Sequence, residues 1–136
     1  MPVKYQRRSD GTTGVIPENV FINIYATATD ATRGIWIADA DYELVSLRSR
    51  FTTASTSGTL MISKAPSGTA VGTNTDMLTA TVALSGTANT NASGTPHGTK
   101  ATRTILRGQA LVAEIAGTMT NLAGHFATVA LKALDN

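Results

Sequence analysis

A chain of 136 residues is the size of one domain, able to bury roughly two thirds of the surface that its unfolded form exposes. Its net charge of +2 is too weak a balance to argue for nucleic acid, and with no cysteine neither a disulfide framework nor a thiolate metal site can hold the fold. No stretch approaches the roughly 18 apolar residues that span a bilayer, and Met1 to Arg8 lacks the apolar centre of a signal peptide, which predicts synthesis and folding in cytoplasm.

Thr, Ala, Gly and Ser dominate, whereas long helix-forming side chains are sparse. The branched Cβ of threonine suits a pleated strand with one wet face, so the composition favours sheet over helix. Residues 1–19 carry Lys4, Arg7 and Arg8 and no apolar periodicity, the mark of an extended N-terminal arm; residues 20–136 form the domain. Pro17 precedes a first strand in which Val20, Ile22, Ile24 and Ala26 share one face at period two.

A short apolar run, Ile35 to Ala38, follows, and the Asp39-Ala40-Asp41 corner leads into a longer strand, Tyr42 to Phe51. There Val45, Leu47 and Phe51 point one way and Ser46, Arg48 and Arg50 the other, as in a half-buried antiparallel strand. Thr59 to Lys64 is the next strand, ended by Pro66, Gly68 and Gly72. From Met77 to Leu84 alternation returns, with Leu78, Ala80, Val82 and Leu84 inward. Residues 85–99 lack apolar bulk and read as a long surface loop, with a second loop at 52–58.

The last third predicts strands at Thr102–Leu106, Gln109–Ala116 and Phe126–Leu134, with Met119 and Leu122 plugging one end of the core. The total is about eight short strands separated by turns, the pattern of an all-β antiparallel sandwich, with a jelly roll as the first expectation.

Candidate chemistry is thin. His97 and His125 flank glycines and have no third partner at ligand spacing, so surface histidines are expected. Asp30, Asp39, Asp41 and Glu43 are an acidic concentration of the kind that holds calcium at a sandwich edge, set against the simpler reading of strand-end and turn carboxylates. No Gly-x-Ser-x-Gly elbow or phosphate loop is present. A hydrolase would need an acid–base cluster that Asp39, Asp41, Glu43 and His125 do not assemble, so no enzyme and no cofactor are expected. Arg48 and Arg50, with Arg33, Arg103 and Arg107, make either a basic patch for an acidic partner or a solvated face. Trp36 is expected to be buried between Ile35 and Ile37, since aromatics form only 5% of the chain.

The segments Ile35-Trp36-Ile37-Ala38-Asp39, Tyr42 to Leu47, Gly58 to Lys64, Leu84 to Thr90 and Gly108 to Leu134 follow in an order that resembles the small capsid decoration, or head-stabilising, proteins of tailed bacteriophages. Leu122-Ala123-Gly124 leading into Thr128 to Lys132 is similar to the closing strand of that group. The likeness spans about Thr32 to Leu134. It implies a jelly-roll-like sandwich that forms a homotrimer on the outer capsid surface of a virion, binds the major capsid protein and bridges capsomers, without nucleic acid or membrane. The arm residues Val3, Lys4, Tyr5, Gln6, Arg7 and Arg8 are then the expected capsid contact. Met61, Met77 and Leu134, on the wetter sides of their strands by alternation, are the expected trimer interface. The competing expectation is a receptor- or carbohydrate-binding module at a fibre tip, using loops 52–58 and 85–99.

Overall fold

The computed structural model describes residues 3–7, 13–17 and 19–134. Strands β1 (Val3–Arg7) and β2 (Thr13–Pro17) pair antiparallel as a two-stranded sheet of their own, from Val3 opposite Pro17 to Arg7 opposite Thr13. The segment expected to be extended therefore folds back on itself, with both strands outside the main sheets.

Ten strands follow: β3 (Asn19–Ile24), β4 (Arg33–Ile37), β5 (Tyr42–Arg50), β6 (Thr59–Ala65), β7 (Thr75–Asp76), β8 (Val82–Ala83), β9 (Ala92–Gly94), β10 (Thr104–Ile105), β11 (Ala110–Ala116) and β12 (Phe126–Ala133). No helix occurs among the described residues. The first sheet runs β3–β12–β5, with β9 and β10 sharing the far edge of β5; the second runs β4–β11–β6, with β7 and β8 sharing the far edge of β6. Ten strands thus fill eight positions, and every pairing is antiparallel. Successive positions fall in the order that two Greek keys give when wrapped into a jelly roll.

Period-two patterning builds the core. Ile24 from β3, Leu44 and Leu47 from β5, and Val129 and Leu131 from β12 meet Leu60, Ile62, Leu111 and Ala113 of the opposite sheet, all buried. Met119 and Leu122 are buried at one end, as expected. The turn that carries them needs Gly117: its φ is +77°, and a Cβ there would collide with the Ser57 carbonyl.

Three details depart from simple alternation. Opposite Ala130 and Leu131, β5 pairs through Ser46 and Leu44, so Val45 is an extra residue in a β-bulge. The bulge switches parity: Tyr42 and Leu44 point inward before it, Leu47, Ser49 and Phe51 after it, and Val45 is turned out to solvent rather than inward. The expected strand at 77–84 is broken. Met77 and Leu78 are both buried, the first tied by its N–H to Ile62 O at 2.9 Å, the second bridging to Pro96. Finally, the expected loop at 85–99 contains β9, built from small residues. Gly94 lies so close beneath Leu78 and Val82 that a Cβ would stand 2.9 Å from Leu78 Cδ1, so lack of bulk is what lets this strand fit.

Candidate interaction surface

The two sheets treat their outer faces differently. In the second sheet, Ser63 and Val112 are buried on the side away from the core, so β6 and β11 are covered on both faces along their middles. In the first sheet β12 and most of β5 alternate between buried and more exposed positions, and the outer face is open. It exposes Phe21 (55%), Val45 (52%) and Phe126 (50%). Register sets Ala130 between Phe21 and Ser46, and Thr128 between Asn23 and Arg48; Thr128 Oγ1 donates to Asn23 Oδ1 at 3.2 Å. Between them lies a shallow groove of about 420 Å³ with Phe21, Val45 and Ala130 as its apolar lining and Asn19, Ser46, Arg48 and Thr128 as its polar lining.

The cations on this face are uncommitted. Arg48, Arg50 and Lys132 have no hydrogen-bond or ion-pair partner among the described residues, and Phe126 stands opposite Arg50 across the β12–β5 pair. The other arginines of the expected patch serve the fold. Arg33 donates to Tyr25 O and pairs with Asp30 at 3.5 Å. Arg103 pairs with Glu43 at 2.8 Å and donates to the His97 and Gly98 carbonyls. At Arg107 it is the backbone N–H that donates to Asp41 Oδ1, at 2.9 Å, and the residue is exposed.

The acidic segment is likewise spent on structure. Asp30 Oδ2 accepts the Thr27 N–H at 2.7 Å, and Asp39 Oδ1 accepts the Tyr42 hydroxyl at 2.6 Å. Burial first, and then Asp39, push that phenol well above its ordinary pKa, which keeps it a donor. Among the described residues no three His, Asp or Glu side chains stand together as a metal cluster.

Other expected site residues fall elsewhere. Met61 and Met77 are buried in the core cluster of this chain, so the alternation that placed them on wet faces fails: β6 is covered on both sides, and the chain turns at Met77. Neither is available as an interface side chain. Leu134 is half-buried just after β12, its N–H bonded to Asp41 O at 3.0 Å. Val3, Lys4, Tyr5, Gln6 and Arg7 make up β1 of the hairpin, while Arg8 lies outside the described residues. Trp36 is half-buried, with its ring edge-on to Tyr42 at a centroid distance of 5.2 Å.

His125 is buried instead of exposed. Its Nδ1 accepts the Ala26 N–H at 3.1 Å, so the neutral ring carries its proton on Nε2 and directs it to Ser49 Oγ at 2.9 Å. Burial first, then the nearby Arg33, lower its pKa, with Asp30 opposing. This serine–histidine pair does not have a nucleophile's arrangement: both side chains are buried, and a backbone N–H occupies the nitrogen that a carboxylate would orient. His97 is half-buried, its Nδ1 accepting the Thr99 N–H at 3.2 Å.

The exposed face was half visible in the sequence, because the residues between Val20, Ile22 and Ile24 must point outward. Val45 was not, because only pairing reveals a bulge.

No known protein family matches the chain, and no curated protein matches it. One solved structure, described as "Bacillus endospore appendages form a novel family of disulfide-linked pili", is similar over 86% of each chain at 21% identity, with a TM-score of 0.43, a likeness too slight to carry a functional argument.

Proposed function

We propose that this chain is a non-enzymatic structural protein of a phage virion, binding the outer surface of the capsid as a homotrimer and stabilising the shell by bridging capsomers. The observation that supports this reading most is the open outer face of the first sheet. Half-exposed Phe21, Val45 and Phe126 lie there among Arg48, Arg50 and Lys132, an apolar centre with a charged rim as protein interfaces have. In this reading β1 and β2, which belong to neither sandwich sheet, supply a second contact.

A subunit that binds the assembled shell and not its separated parts stabilises the shell by mass action, with no chemistry. Three copies around a symmetry axis turn weak contacts into firm attachment through effective concentration. Light scattering after size exclusion, followed by co-sedimentation with expanded shells lacking the protein, tests the reading. A trimer that sediments with shells is expected, and removal of residues 1–18 is expected to leave a folded oligomer that decorates poorly. A monomer, or a trimer indifferent to shells, overturns it.

One observation favours a second reading, a glycan-binding module at a fibre tip. The groove sets the Phe21 ring near Asn19, Ser46, Arg48 and Thr128, a stacking surface beside polar groups, and binding on a glycan array would select it.

A further inference from the structure

We infer that the outer face of the second sheet binds a divalent cation, best fitted by calcium, between Asp76, Glu114, Ser63 and Asn74. Register brings these residues together. Ser63 on β6 is paired with Asp76 on β7 and with Val112 on β11. Cross-strand partners share a face, and Glu114, two residues beyond Val112, returns to that same face. The two carboxyl groups therefore approach from opposite sides of β6. Ser63 lies on β6 between them, 0% exposed, its hydroxyl without a hydrogen-bond partner among the described residues. Asn74, just ahead of β7, donates from Nδ2 to Glu114 Oε1 at 2.8 Å, while its own Oδ1 is buried and also unpartnered.

Two carboxylates that approach over one strand repel, and a cation between them removes the repulsion. Orphaned buried oxygens are costly, and here two of them adjoin the same carboxyl pair. The donors are all oxygen: two carboxylates, one hydroxyl and one amide. Hard cations select that set, and calcium, which takes six to eight oxygens in flexible geometry, would complete its shell with water through the exposed side of Asp76. The site is separate from the acidic segment at Asp39 to Glu43 and lies on the other sheet from the open face.

Calcium chloride titrated into the full-length protein near neutral pH tests this, read by thermal unfolding and by isothermal titration calorimetry. One ion per chain is expected, with a Kd of about 10⁻⁴ to 10⁻³ M. At 5 mM calcium the folding equilibrium then shifts by about 6- to 50-fold. The Asp76→Asn/Glu114→Gln protein is expected to lose the shift. Ser63→Ala removes an unpartnered hydroxyl, so it is expected to fold as stably as the wild type without calcium and to bind calcium several-fold more weakly. No shift at 5 mM overturns the inference. A shift that survives in the Asp76→Asn/Glu114→Gln protein also overturns it, because the ion then sits elsewhere.

Discussion

Removing the His125 ring tests how the start of β12 is held to its neighbours. The ring joins Ala26, just past β3, to Ser49 on β5 through hydrogen bonds of 3.1 and 2.9 Å. Both partners are buried, so His125→Ala strands a backbone donor and a hydroxyl at about 1–3 kcal/mol each, or about 2–6 kcal/mol together. His125→Gln keeps an acceptor and a donor on one side chain and is expected to lose less. The pH dependence follows from the lowered pKa. The unfolded histidine titrates near 6.5, whereas the folded ring stays neutral to a lower pH. Its stabilisation is complete above about pH 6.5 and is lost as pH falls through the folded pKa. In that window the unfolded chain holds up to one more proton, and stability falls by up to about 1.4 kcal/mol per pH unit. Asp76, with a raised pKa, acts in the opposite sense, but equally in both proteins, so it cancels in their difference. Urea midpoints of wild type and His125→Gln at pH 7.5, 6.5 and 5.5 are the assay, and the wild-type advantage is expected to shrink as pH falls. A difference that stays constant across this range, or a His125→Ala protein as stable as the wild type, would refute the reasoning.

Leu47 is fully buried on β5, so Leu47→Ala is expected to cost about 2–5 kcal/mol in urea unfolding; a loss under 1 kcal/mol would mean the sandwich does not close around it. Val45→Ser, at a half-exposed bulge, is expected to stay within about 0.5 kcal/mol of wild type. Deleting Val45 leaves Leu44 opposite Leu131 and Ser46 opposite Ala130 in unbroken alternation, so cooperative unfolding is expected to survive; its loss would show that the strand needs the bulge. Lys64 Nζ donates to the Ala101 and Thr104 carbonyls at 2.7 and 2.6 Å, tying β6 to the segment that carries β10, while burial lowers its pKa. Lys64→Met is expected to cost about 1–2 kcal/mol and to speed amide exchange at Thr104 and Ile105; unchanged exchange would show the tie to be idle.

Local patterning was enough for the fold class. Val20, Ile22 and Ile24 on β3, Leu111 and Ala113 on β11, and Ala127, Val129 and Leu131 on β12 face the core as their alternation predicts, because a strand's side-chain period is set by its own backbone. Eight strand positions and the plugging roles of Met119 and Leu122 were legible for the same reason. Pairing is a different matter, since it joins residues far apart in the chain. The bulge at Val45 exists only relative to Ala130 and Leu131, and β9 is a strand only because Leu47 lies opposite Gly94. The burial of Met61 and His125, and the meeting of Asp76, Ser63 and Glu114, depend on what packs over them. One strand's sequence determines which of its faces is apolar; whether the other face meets water or more protein is decided by tertiary structure, because solvent is excluded only by neighbours that the local pattern does not encode.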